Sequence, residues 1–598
     1  MFKKLTICAL LMATAIFPGI GRAQDTLPAP VADPGFSYVD VNDNGFYNEG
    51  VDLPVNLSTI LTANNGTFDT QKSIPANGTF PGYTHPAKPA SLVIPSSVTI
   101  DFTGNGPVML KAGHSMGIHG VISGDSVSLS AYGNGYHVTP PATFTQTPVA
   151  PVTPSAFTPA GVIGVLCHTG GGGTPPTPGS IDLSGGEIDS YGAITLEAGG
   201  DIRLDGAYLT GDNPWIDETT INPVIPSIKI AAGGTLYGDI YTELAPAYHA
   251  TGTVILGGGK GVFMNGASIG NDSSTDYVII QSAGDINLIN NCAINGAGPV
   301  LIKSTAGAVK INGDLGTSET ATGAAIGGTS VTISAATDVD LTGTAINCEG
   351  NLNITARGKL AAFDANIPAH VAPVISTSDT SGAPVITTSS VHAFCTGGGT
   401  GSNSGYIAPT VSGSLPVSAL YSIITAGTVK VCVNGSVDLR GSSIVTTVGD
   451  IYIQTCTDSL SVTWMSANST GGVILKSHDD LAFDNSIIVA NNLISVNASE
   501  GSVNGTGSQI LTGTDNTTAA ISVYGAWQLT ANDTNWSVPK SILLRSAGSI
   551  YAQNATLAAT GAPGTVKFNS GAGYIDVTDK HFTGIVSYIP NWATVIGR

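Results

Sequence analysis

The sequence predicts an all-β protein, a parallel β-helix (solenoid) carrying two Pro/Ser/Thr/Gly-rich loop insertions. Three observations lead there. Of 598 residues 77 are Gly, and only 10% are charged, whereas ordinary globular chains carry about 7% Gly and about a quarter charged residues. Apolar residues alternate with period two in very short pieces, the periodicity of a strand. The pieces also recur in triplets about 21 residues apart, the mark of a stacked repeat.

The elements follow in chain order. Lys3 and Lys4 precede an apolar run over 5–17, a Pro/Gly break and Gly21-Arg22-Ala23. Residues 1–23 are therefore expected to be a secretory signal peptide, which places the protein outside the cell or on its surface. Cys8 sits inside the apolar run, not at its end, which argues against a lipid anchor. No later apolar segment reaches the roughly 18–20 residues that a membrane-spanning helix needs.

Residues 24–95 are read as an N-terminal segment that caps the first rungs. It contains Asp40-Val41-Asn42-Asp43-Asn44-Gly45-Phe46-Tyr47-Asn48-Glu49-Gly50-Val51-Asp52. Oxygen side chains at alternate positions with Gly at the sixth match the start of an EF-hand-type calcium loop. Asp40, Asn42, Asn44 and Asn48 are the expected ligands, and Asp52 would close the site because Val51 holds the twelfth position. An Asn/Gly-rich turn without a cation is the competing reading.

Residues 96–364 and 417–585 form the two parts of the β-helix, with a tail over 586–598. One rung is read from Ile194 with Leu196, Ile202 with Leu204, and Leu209; equivalent sets start at Val331, Val429 and Val473. Further copies start at Val278, Leu352, Ile451, Ile521, Ile542 and Val566. A single rung cannot close a core, so stacking must bury the aliphatic ladders, with Ile333, Leu341 and Ile354 facing inward. At ~4.8 Å per rung, about 20 rungs would make a rod of roughly 100 Å. Two Pro-rich stretches, 137–180 and 365–416, should leave the rod as loops, since Pro lacks the ladder donor. The first belongs to the opening part of the helix and contains Cys167; the second separates the two parts and contains Cys395.

The segments 192–207 and 352–360 resemble the repeats of filamentous haemagglutinin-like adhesins, and the likeness extends over most of 185–365 and 425–580. That resemblance implies a right-handed β-helix, export by a Gram-negative bacterium, and attachment to host-cell, glycan or matrix surfaces.

Catalytic motifs are weak. Gly113-His114-Ser115-Met116-Gly117 looks like a nucleophile elbow, yet short β pieces follow it where a helix is required. Gly257-Gly258-Gly259-Lys260-Gly261 lacks the hydroxyl residue that ends a phosphate loop. His478-Asp479-Asp480 offers acid–base groups, but in a strand its two carboxylates would point to opposite sides. Lys and Arg number 21 against 41 Asp and Glu, a net charge of −20, which argues against a nucleic-acid partner. The six cysteines left after signal cleavage could form three disulfides or serve as small core residues. The expectation is a binding or structural surface protein without catalysis. A carbohydrate-active β-helix enzyme, lyase or glycoside hydrolase, and a purely structural envelope or matrix component are the alternatives.

Overall fold

Alternation turns each apolar piece into a strand, and stacking turns each strand into one step of a ladder. The computed structural model describes residues 33–76, 82–131, 178–212, 227–242, 244–290, 292–312, 324–361, 423–513, 518–590 and 594–597. It is a right-handed parallel β-solenoid of about 16 turns. Each turn contributes one strand to each of three parallel sheets, as in Ile194–Ala198, Ile202–Arg203 and Tyr208–Gly211. Register is maintained from rung to rung: Ile194 pairs Ile228, Ile202 pairs Leu236, and Leu209 pairs Tyr248.

All the inward positions expected from the alternation are buried, including Ile194, Leu196, Ile202, Leu204, Leu209, Ile333, Leu341 and Ile354. At ~4.8 Å per rung the described rod is about 75 Å long, shorter than the sequence reading, because several rungs exceed the expected period. The interval between paired first-sheet residues shrinks from 34 (Ile194 to Ile228) to 22 (Val278 to Val300).

The corners explain much of the unusual composition. Between the second and third sheets many rungs place one residue in a left-handed conformation, as Gly206, Gly343 and Gly441 do at φ 62°, 70° and 70°, a region that Gly enters without steric cost. Between the first and second sheets, acidic side chains satisfy the backbone of the next rung. Asp201, Asp338 and Asp480 accept the N–H groups of Thr235, Lys359 and Ser502 at 2.7, 2.7 and 2.8 Å. Part of the acidic content thus serves as corner hydrogen bonding, where a charged acceptor is stronger than a neutral one.

The N-terminal end is closed differently. Strand Tyr38–Asp40 runs antiparallel to both Leu53–Pro54 and Ser91–Ile94. The helix Leu57–Ala63, N-capped by Asn56 through the N–H of Thr59, buries Leu57, Ile60 and Leu61 against the first rungs. An antiparallel strand and a helix cannot propagate the parallel ladder, so together they cap it. At the other end rung pairing continues past residue 585, with Ile585–Ile589 on Thr565–Ser570 and Thr594–Ile596 on Tyr574–Asp576.

The expected signal peptide and nearly all of both expected insertions, with Cys167 and Cys395, lie outside the described residues. Across the second insertion the rungs pair directly, Leu352 with Val429 and Leu360 with Val437. The four described cysteines are free thiols. Cys292 and Cys348 are core residues whose thiols burial pushes up to about 11 and about 12. Cys432 and Cys456 lie on adjacent rungs nearer the surface.

Candidate functional site

The loop 40–52 sits on the cap. Asp43, Gly45 and Gly50 adopt left-handed φ values of 56°, 78° and 81°, which curl the chain back on itself. Asp40, Asn48 and Asp52 are buried, while Asn42 and Asn44 are exposed. Asp40 Oδ2 accepts the Gly45 N–H at 2.7 Å; Asp52 accepts the N–H groups of Val41 at 3.0 Å and Asn48 at 2.7 Å. Asn44 Oδ1 accepts the Phe46 N–H at 2.9 Å. The structure therefore brings Asp40, Asn44, Asn48 and Asp52 together and leaves Asn42 outside. Burial, reinforced by the nearby charge of Asp52, pushes the Asp40 carboxyl above its ordinary value.

Asp43, which the sequence reading did not single out, turns the other way. It bonds Ser91 and lies 2.9 Å from His114 Nδ1, tying the loop to the rungs below. Ser115 Oγ lies 3.3 Å from the same His114 Nδ1. In a catalytic triad the serine and the carboxylate occupy opposite ring nitrogens. Both approach Nδ1 here, and Ser115 also accepts the Ser180 N–H at 3.2 Å, so the cluster is a rung fastener. The glycines near 258 likewise serve packing: a Cβ on Gly258 would fall 1.8 Å from Gly261 O, and one on Gly259 2.3 Å from Gly233 O.

His478, Asp479 and Asp480 lie in a turn after Val473–Ser477 and not in a strand. His478 Nδ1 is 2.9 Å from Asp479 Oδ1, and Nε2 is 3.5 Å from Glu500 Oε1 on the next rung. Asp480 instead fastens Ser502, as described above. The hydrogen bond with Asp479 raises the His478 pKa, aided by the charges of Glu500 and Asp479. A raised histidine value means that the protonated ring favours the fold below its unfolded pKa, a contribution lost as pH rises through the folded one. Proton NMR titration should place His478 above ~6.5 and should move it down in Asp479→Asn. A value at or below the free-histidine range would contradict this pairing.

An aromatic stripe on the outer face of the second sheet is invisible to motif reading. Arg203, Tyr237 and Phe263 occupy successive outward positions of one ladder. The Arg203 guanidinium lies 5.5 Å from the Tyr237 ring centroid, and the Tyr237 and Phe263 rings are 6.4 Å apart. Asp205 holds the arginine at 3.4 Å. Around the corner Tyr208 and Tyr241 are 43% and 45% exposed, and Tyr241 packs over Gly206, whose Cβ would meet it at 2.8 Å. Outward positions separated by 34 and 26 residues (203, 237, 263) depart from the regular period, so only register shows them to be neighbours.

A second departure lies at Trp464, which takes a left-handed φ of 62° at a corner where most other rungs place Gly, Asn or Asp. A bulky residue there is an outlier, and such strain concentrates at functional positions.

No protein-family model, no curated protein and no solved structure matches this chain. The protein is a parallel β-solenoid, a scaffold shared by binding proteins and enzymes, in which function resides in the surface and not in the fold.

Proposed function

We propose that this protein is an exported, adhesin-like solenoid of the cell surface or extracellular space, with a binding and structural role and no catalysis. The aromatic stripe of Arg203, Tyr237 and Phe263 carries this reading. Flat rings on the sheet face, with Asp182 beside Arg203 on the same ladder, suit the apolar face and hydroxyl rim of a neutral sugar chain better than a polyanion. The net charge of −20 favours the same class. Ring faces supply contact area at small entropic cost.

Glycan-array and calorimetric binding on residues 24–598 tests it. The double variant Tyr237→Ala/Phe263→Ala should retain the wild-type circular dichroism spectrum and lose about tenfold in affinity for the best neutral glycan. No binding to any glycan or matrix preparation, or unchanged affinity in the variant, would overturn the assignment of this face.

The second reading, a polysaccharide lyase or glycoside hydrolase, rests on His478 between Asp479 and Glu500, a residue type suited to proton transfer. Product release from a polysaccharide panel, abolished by His478→Ala, would favour the enzyme. A protein that neither binds nor cleaves would leave the envelope or matrix component.

A further inference from the structure

We propose that the loop 40–52 is a calcium site that locks the N-terminal cap onto the solenoid. This rests on the cap geometry and is independent of the surface reading above. Three oxygens converge on one atom, Asn48 Nδ2: Phe46 O at 2.8 Å, Asp52 Oδ2 at 3.1 Å and Asn44 Oδ1 at 3.2 Å. An amide nitrogen has two protons, so it cannot serve three acceptors fully. A fourth oxygen, Asp40 Oδ1, is buried and has no hydrogen-bond partner, although Asp40 is only 1% exposed.

Leaving a buried carboxylate oxygen unpaired is costly, and a second carboxylate nearby adds to that cost. Among the described residues no ion pair reaches Asp40 or Asp52. The loop therefore presents two acidic side chains, an amide oxygen and a main-chain carbonyl with no positive charge to balance them. A cation supplies it, and turning the Asn48 amide over would add Asn48 Oδ1 to the set, since the two ends of an amide are nearly equivalent in shape.

The donors select the ion. Every donor is oxygen. Hard oxygen ligands, one of them the Phe46 carbonyl at the seventh position, fit calcium rather than zinc or a first-row transition metal. Two formal charges put the affinity in the weak, extracellular range of roughly 10⁻⁴–10⁻³ M. The structural consequence is local. Asp40 ends the antiparallel strand on Ser91–Ile94, and Asp43 fastens Ser91 and His114, so closing the loop around an ion holds the cap to the first rungs.

The test uses the full mature chain with calcium by titration calorimetry and terbium by luminescence sensitised through the neighbouring tyrosines. Wild type should take up one ion at sub-millimolar to millimolar concentration, and calcium should slow proteolysis near residues 40–60 relative to chelator. Asp40→Asn and Asp52→Asn should each weaken binding at least tenfold. Asn44→Ala, at an exposed position, should keep the fold and weaken binding several-fold, which guards against misfolding of the buried variants. Asp285→Asn, on a remote rung, should bind as wild type. No uptake at millimolar calcium, wild-type affinity in both Asn44→Ala and Asp40→Asn, or proteolysis indifferent to chelator would each overturn the site.

Discussion

Ile333→Asp should destabilise the middle of the solenoid by more than about 5 kcal/mol. Ile333 is fully buried, with Ile302 directly before it and Ile354 directly after it in the first-sheet ladder. Removing its side chain forfeits about 2–5 kcal/mol of burial and packing. The carboxylate then enters a site with an aliphatic neighbour on each side along the stack, so an unpaired charge is added to the lost contact. Ile333→Ala should show the first cost alone and Ile333→Val only about 0.5–1.5 kcal/mol. Because rungs couple mainly to their neighbours, the damage should be local. Limited proteolysis should cut within residues 300–361 of the Asp variant while residues 423–577 persist. A denaturation midpoint and cleavage pattern equal to wild type would remove Ile333 from the core.

Trp536→Ala should cost about 3–5 kcal/mol, the range for emptying a large aromatic site. Trp536 is the largest fully buried side chain of the described residues. Its indole N–H donates to Ser508 Oγ at 3.1 Å, and its ring lies 6.1 Å from Phe483. Gly505 makes that arrangement possible, because a Cβ there would fall 2.2 Å from the Phe483 ring. The Phe483 ring thus occupies volume that the next rung leaves empty at Gly505, the Trp536 ring packs beside it, and a smaller residue at 536 would open a cavity. Gly505→Ala should destabilise through the opposite fault, overpacking by about 1–3 kcal/mol. Thermal melting of the two variants separates the cases: Trp536→Phe should recover part of the loss at 536, whereas trimming Phe483 to Leu should rescue Gly505→Ala. If Trp536→Ala melts with wild type, the indole does not fill the core.

The fold was legible because its signals are local. Period two decides which side of a strand faces inward, so Ile194, Leu196, Val473 and Leu475 could be placed in the core from their spacing alone. Gly and Asn between the pieces marked the corners for the same reason, since few other residues enter a left-handed turn without strain. The candidate site was legible only in part. The alternation of Asp40, Asn42 and Asn44 suggested a cation loop, yet the side chain of Asn42 stays in solvent while Asp43, outside that pattern, fastens the loop to His114.

The direction of each side chain relative to its own strand, and the need to stack, are local properties readable from spacing. Which outward residues meet depends on the assembled stack. Arg203, Tyr237 and Phe263 lie on one ladder although the chain between them is uneven, His478 meets Glu500 from the next rung, and Leu352 finds Val429 across a long insertion. Each of these contacts is set by backbone register between rungs of unequal length. Register is fixed by the summed burial of many aliphatic residues, while a corner can lengthen at small free-energy cost. Facing is therefore a local property of two or three residues, and adjacency is a property of the whole stack.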